Sequence, residues 1–390
     1  MATGIVLAAM PARAANPGRF AHSAVSAPER GVTRRTVAVA GLLAGNGSTA
    51  GADVGAQARF QRSNRHGGVA GRKVRYLGTE VDAGDAAQDA ASVEKLSSEA
   101  FAVVPAISSA LDTGRLARVG LPFFGVADSV GWNANRFGFG FTGAQAALAT
   151  RVVNPTWGVQ LRALIGRAQG NRVVIATDDG ALGTARVKQA RVALRAAGFR
   201  VAAPVVLPAP PAPLPDVVPI AASLASGSPA VALLLTSPGA TAALAKQLAV
   251  LGYTGTVATA EAFYQPTVPA LADGLTVLVP YAPFEQRTAA NRRLAADVKA
   301  FAPDAPLTPA VAAGYWAADQ FLAVLTHVGR ELSAKRFLAF ANGGGFKYGV
   351  RDTVGESSWP AMHTRPIPCG ALVQSDGSRY YVVAGYHCGP

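Results

Sequence analysis

The chain is poor in the side chains that usually carry chemistry. Its 390 residues include two cysteines, five histidines, three methionines and four tryptophans. A cysteine pair cannot by itself build a four-ligand zinc site. His22, His66, His327, His363 and His387 are scattered, with no H-x-x-x-H pair among them. No metal site is therefore expected. No serine stands in a G-x-S-x-G context, which removes the nucleophile elbow of a hydrolase, and no catalytic constellation emerges. No apolar run reaches the roughly 18 residues that a membrane-spanning helix needs. Charge is scarce as well. Only 15% of residues are charged, and acids are outnumbered 23 to 36 by lysine and arginine, for a formal net charge of +13. Such an excess can address nucleic acid or an anionic surface. No dense basic run interleaved with aromatics is present, however, so the charge reads as a solvated, arginine-rich surface and no nucleic-acid partner is expected.

What is present is a globular pattern. Half the residues are hydrophobic, and 390 residues are too many for one average core, so two domains are expected. The stretch from Arg35 to Glu80 organises the rest. Residues 37–41 form an apolar, β-branched run that predicts a buried strand. Gly45 and Gly47 break it, Ser48 and Thr49 are candidate helix caps, and residues 52–63 have helical spacing. Gly67-Gly68 stops that helix and residues 74–77 restart a strand. This βαβ unit predicts a parallel sheet. The alternation continues through a helix over 85–99, a strand over 101–105, a helix over 111–119, and strands over 121–125 and 137–142. A second series starts near residue 150, with helices over 152–168, 184–197 and 239–251. Its strands are expected over 172–176, 201–207, 230–235, 256–259 and 275–279. Residues 208–219 carry six prolines in twelve and read as a stiff surface loop. Helices over 285–302, 308–328 and 333–341 have no strand between them and are expected to pack on the first domain. Thr308 and Pro309 mark the start of the second of these. A hairpin over 369–386, with Asp376-Gly377 at its turn, ends the pattern. Cys369 and Cys388 flank it, and either a disulfide or two free thiols fit the sequence.

The candidate site residues come from the exits of the strands. Doubly wound folds bind ligands at the C-terminal edge of the sheet, and loops 45–51, 106–110, 126–132, 178–183, 236–239 and 260–264 all lie there. Ser108, Ser109 and Ser129 offer hydroxyls next to helix starts, where free N–H groups and the helix dipole favour a carboxylate. Ala127 and Asp128 share the same loop as Ser129. Asp178-Asp179 could be paired carboxylates, although adjacent residues at a strand exit point apart and read as turn chemistry. Gly45-x-Gly47-x-x-Ala50, with Glu80 at the next strand end, matches a relaxed dinucleotide fingerprint. The spacing to Glu80 is about ten residues longer than that pattern wants. Residues 4–10 and Ala12-Arg13-Ala14 look like the end of a secretory signal, without its positive leader. Residues 1–33 are expected to be a disordered leader or signal remnant.

The order of these motifs carries a resemblance. A strand, G-x-L-x-G over Gly41–Gly45, a small-residue loop, a helix, and Gly67-Gly68-Val69-Ala70-Gly71-Arg72-Lys73-Val74 together resemble a type I periplasmic binding protein. The leucine/isoleucine/valine-binding proteins of ABC importers are the nearest group, and the resemblance can be followed from about Thr36 to about Tyr386. It implies an α/β fold of two doubly wound, Rossmann-like lobes joined by three crossover segments near 142–152, 279–286 and 345–368. The lobes would be 34–148 plus 284–348 and 149–283 plus 349–390. It implies a monomeric, secreted or periplasmic protein that binds an amino acid or a related carboxylate or amide. Its partners would be an ABC permease and its ATPase, and it would use no cofactor. Glu261 stands where the family places an acid against the ligand ammonium, and Asp179 and Phe263 join the implied ligand set. Trp132 and Tyr264 are further candidate walls. Ala50 and Leu182 stand where the family commonly has aromatics, which implies a wider or more apolar pocket. A ligand-sensing module of the same fold and a nucleotide-dependent enzyme are the alternative readings.

Overall fold

A computed structural model describes residues 29–389 apart from 46, 109–111, 146–153, 167–169 and 211. Ser109, most of the expected leader and most of the first expected crossover lie outside the described residues. The first lobe opens with β1 (Thr36–Ala44), α1 (Ala52–Arg65), β2 (Lys73–Asp82), α2 (Ala86–Glu99) and β3 (Ala102–Ile107). It continues with α3 (Thr113–Arg118), β4 (Phe123–Gly125) and β5 (Gly138–Gly140). These strands make one parallel sheet in the order β2-β1-β3-β4-β5. A parallel sheet is covered on both faces, so its strands read as continuous apolar runs. The interior of β1 is buried along its whole length. Successive side chains then serve opposite faces: Val37 and Val39 join the core under α1, and Ala40 and Leu42 the core under α2 and α3.

The second lobe contains α4 (Thr156–Ile165), β6 (Arg172–Asp178), α5 (Ala181–Ala196), β7 (Arg200–Val201), β8 (Val205–Leu207) and α6 (Val217–Ala225). It continues with β9 (Val231–Leu235), α7 (Pro238–Val250), β10 (Thr256–Ala260) and β11 (Thr276–Val279). The chain then leaves this sheet for α8 (Ala289–Phe301), α9 (Pro309–Val328) and α10 (Ala334–Ala341). A small hairpin follows, β12 (Lys347–Val350) and β13 (Val354–Ser358), before β14 (Cys369–Ser375) and β15 (Tyr380–Cys388). The second sheet has the order β15-β14-β11-β10-β9-β6-β7, with β8 also on β6. Its two latest strands are antiparallel. The fold is therefore two doubly wound α/β lobes. The chain passes between the sheets after β5, after β11 and before β14.

The helices after the second passage return to the first lobe because α9 fits α1 backbone to backbone. Gly55 on α1 and Gly314 on α9 sit at the crossing. A Cβ on Gly314 would overlap the carbonyl oxygen of Ala52, and one on Gly55 the carbonyl oxygen of Val311. Aromatic edges fill the space beyond: Phe60 meets Phe321 at 6.2 Å, and Phe124 meets Phe321 at 5.5 Å. Half-buried ionic contacts close the rim, Arg59 with Asp319 at 2.5 Å and Arg62 with Asp297 at 3.1 Å. Thr308 caps α9 as expected, its hydroxyl accepting from the Val311 N–H, with Pro309 in the first turn.

Several expectations need correction. Ser48 and Thr49 do not cap α1. Gly51, at φ +86°, turns the chain into the helix, and no side chain caps it. The proline-rich stretch is not irregular to its end, since α6 begins at Val217 with the Asp216 carboxylate accepting from the Val218 N–H. Pro219 lies in the first turn, where its missing N–H has no intrahelical partner to lose. Residues 284–286 form a separate single turn before α8. The strand over 201–207 is split into β7 and β8, and the β12–β13 hairpin was not anticipated. The two cysteines do form a disulfide, between facing residues of β14 and β15.

The α1–α9 crossing yields a stability test. Gly314→Ala should gain about 1 kcal/mol in helix propensity. It should lose more than that because the clash is with backbone, and overpacking of this kind costs typically about 1–3 kcal/mol or more. A net fall in the urea midpoint is expected; an unchanged or higher midpoint would mean that the helices do not touch there.

Candidate functional site

The C-terminal ends of the two sheets face each other across a cleft of about 260 Å³. The first lobe contributes Ile107 at the end of β3, Val126 and Asp128 beyond β4, and Ser48 and Thr49 beyond β1. The start of α9 enters the same wall through Pro309, Ala310 and Ala313. The second lobe contributes Trp157 and Leu161 on α4, Arg186 on α5, Leu233–Thr236 at the end of β9, Thr259–Phe263 at the end of β10 and just beyond it, and Tyr281 after β11. Most of these groups are hydrocarbon, because strand ends in a doubly covered sheet continue the buried runs of the core.

Three charged groups interrupt the apolar wall. Asp128 stands on the first lobe, and Arg186 and Glu261 on the second. The carboxyl of Glu261 lines the cleft, on a residue that is partly buried. Burial pushes its pKa up to about 8, Asp128 adds to that push, and Arg186 opposes it. Asp128 is raised in the same way by burial, against the pull of Arg186. One carboxylate oxygen of Asp128 is buried without a hydrogen-bond partner, and Arg186 makes no salt bridge among the described residues. Tyr281 is held well above its ordinary range by burial, and the nearby Glu261 and Glu285 reinforce this. Two acids on opposite walls and one arginine can meet a cation and an anion at once. No group of three His, Cys, Asp or Glu among the described residues could hold a metal ion.

Two facing α/β lobes with a closed-in cleft are one half of the identification, and the sequence is the other, for residues 35–379 match the periplasmic binding proteins. The chain belongs to that family. No curated protein matches the sequence. Among solved structures it is similar to the fatty acid ABC transporter substrate-binding protein from Thermomonospora curvata, at 15% identity over 93% of this chain and 94% of that one, with a TM-score of 0.69. It is similar to the leucine-, isoleucine-, valine-, threonine- and alanine-binding protein from Brucella ovis in its closed conformation, at 15% identity, 91% and 95% coverage and a TM-score of 0.72. The solute-binding protein of an ABC transporter from R. palustris, in complex with benzoate, matches at 18% identity, 91% and 98% coverage and a TM-score of 0.67. At these identities the likeness is one of fold. The family and these neighbours are solute-binding proteins, not enzymes.

In this periplasmic binding protein the expected site residues do not all meet. Asp128, Glu261 and Phe263 line the cleft. Ala127 points away from it into the first-lobe core, with its methyl against Gly140. Ser129 is buried, with its hydroxyl unpartnered, and Ser108 is buried at the end of β3; neither borders the cavity. Asp179 is exposed, accepts from the Gly180 N–H and borders a separate surface groove beside Lys188 and Arg191. Of the candidate aromatic walls, Trp132 packs on Phe123 inside the first lobe, and the Tyr264 hydroxyl is bonded to Glu285. Glu80, the acid of the dinucleotide alternative, is paired with Lys95 at 2.6 Å. Arg186 and Trp157 escaped the sequence reading. Both lie on helix faces, and the only signal was an arginine between two small apolar positions, Ala185 and Val187, in the helix that follows a strand exit.

The raised acid gives a pH signature for the empty protein. Between about 4.5 and about 8 the folded state holds a proton on Glu261 that the unfolded chain has lost. Stability contributed at this position therefore falls as pH rises through that window and is constant above it. Glu261→Gln has no such proton. Thermal melts of the two proteins should diverge in favour of the variant from about pH 4.5 to about 8; parallel melting curves would place the Glu261 carboxyl in water.

Proposed function

We propose that the protein is the extracytoplasmic substrate-binding component of an ABC importer, and that it closes on a small zwitterionic ligand. The observation that carries this reading is the pair Asp128 and Glu261 on opposite walls of a hydrocarbon cleft, with Arg186 beside them. An ammonium between the two acids would satisfy both, and a carboxylate on the same ligand would meet the arginine. The ligand would then bridge the lobes. Residues 34–148 with 284–348, and 149–283 with 349–390, would move as two bodies about the three passages of the chain. The cargo would be handed to a membrane permease driven by its ATPase, and the protein itself would do no covalent chemistry. No helix among the described residues is long and apolar enough to cross a membrane, which suits a component that works outside the bilayer. The ligands in the names of the structural neighbours support a carboxylate joined to an apolar body: fatty acid, branched-chain amino acids and benzoate.

The reading is tested by the charge on Glu261. A charge-assisted hydrogen bond contributes about 1.5–3 kcal/mol, and about 1.4 kcal/mol is one decade of affinity. Leucine, used as the probe just above pH 8 where Glu261 is ionised, should bind Glu261→Gln at least about tenfold more weakly than the parent protein. Parent affinity should rise as pH approaches about 8 and then level off, because an ammonium must displace the proton on the carboxyl. Small-angle scattering should show a smaller radius of gyration at leucine saturation. Equal affinities for the two proteins across this pH range would mean that no ammonium is held there.

A further inference from the structure

The cleft does not end at the charged groups. It continues into the second lobe between α4, α5 and the sheet, along Leu161, Ala190, Ala193, Leu194, Leu233 and Leu278. Most of these residues belong to a buried apolar cluster, with Leu161, Leu194, Leu233 and Leu278 each at 1–2% exposure. Protein interiors are packed with few voids larger than a water molecule, so a passage among core leucines calls for an occupant. Two features of α5 and α4 make the passage. Arg186, Ala190 and Ala193 recur at intervals of four and three, on one stripe of α5. The stripe thus changes from a guanidinium at the cleft to methyl groups further in. Its far end is closed because α4 and α5 cross at Gly158, where a Cβ would meet the carbonyl of Ala193. The stripe rises about 10 Å from Arg186 to Ala193, which is the reach of a chain of roughly eight atoms.

Resting on the zwitterion reading of the charged groups, we infer that this passage is a dead-ended subsite for the ligand's apolar tail. The cargo is then an amino acid-like molecule carrying an unbranched alkyl or aryl group, larger than the side chain of leucine. The size agrees with the space. A volume of about 260 Å³ equals roughly nine waters of bulk liquid. A six-carbon tail on an α-amino acid head is close to that content. An apolar pocket of this kind stays dry when empty, so each methylene that enters is moved out of water without displacing bound solvent. The return is about fourfold in affinity per methylene.

The test is calorimetric titration with one head group and a lengthening tail: alanine, norvaline, norleucine, 2-aminooctanoate and 2-aminododecanoate. Affinity should climb about fourfold per methylene as far as the hexyl side chain and fall for the decyl one. Ala190→Leu, which narrows the subsite one helical turn beyond Arg186, should weaken 2-aminooctanoate by more than about tenfold and alanine far less. Should that variant misfold, the unmodified protein's own chain-length series decides the matter. Binding of alanine or leucine that responds to Glu261→Gln, with no gain along the series, would overturn the tail subsite and leave the zwitterion reading standing. Octanoate or octylamine binding that Ala190→Leu abolishes and Glu261→Gln does not change would do the reverse. Failure of every long-tailed probe to bind would overturn the subsite outright.

Discussion

Backbone contact between α1 and α9 is the constraint on which the arrangement of the two lobes depends. Glycine at 55 and 314 lets the helices meet at a distance that side chains would forbid. That contact holds α9 on the first sheet although the strands just before it belong to the second. The chain must therefore leave the second sheet, cover the first, and return to add β14 and β15. Three passages between lobes follow from this, and the N-terminal end of α9 is thereby set in the wall of the cleft.

The cleft inherits its chemistry from the sheets that frame it. Strand ends bring valine, leucine and alanine, so the dielectric around any charge in the gap is low and each charge interacts strongly with the others. Burial raises the proton affinity of both Asp128 and Glu261, Asp128 raises that of Glu261 further across the gap, and Arg186 lowers both. An isolated carboxylate in such surroundings would simply stay protonated. With the arginine present, the site is poised near neutrality, where a change of ligand charge or of pH alters its protonation. The charged groups sit at the seam between lobes, whereas the apolar passage sits wholly within one of them.

Much of the fold was legible in the sequence, because alternation of apolar runs and helical spacing states a parallel sheet directly. Thr308-Pro309 announced a helix start and Asp376-Gly377 a hairpin, and both stand in the structure. Errors arose where a residue has two uses. Prolines 208–219 read as a loop throughout, yet proline is welcome in the first helical turn, and α6 takes Pro219 there. Ser48 and Thr49 have cap chemistry, but Gly51 supplies the left-handed turn that sets the helix start. For the site, strand-exit position pointed to Asp128, and the family resemblance added Glu261 and Phe263 at a strand exit of the second lobe. It could not point to Arg186 or Trp157, whose direction depends on how α4 and α5 are rotated against the sheet. The same position also suggested Ala127, Ser108 and Ser129, all of which are buried in the first lobe.

The antiparallel pair that completes the second sheet has a consequence for biogenesis. β11 ends at Val279, and the strand that covers its open side, β14, begins only at Cys369. During vectorial synthesis the edge of β11 waits unpaired while three helices and a hairpin are made and sent to the other lobe. An exposed edge strand of buried, apolar residues is a template for pairing with another chain. The nascent protein thus carries an unpaired apolar edge while the chain from Val279 to Cys369 is made. Docking of β14 and oxidation of Cys369 with Cys388 would be late events that seal it.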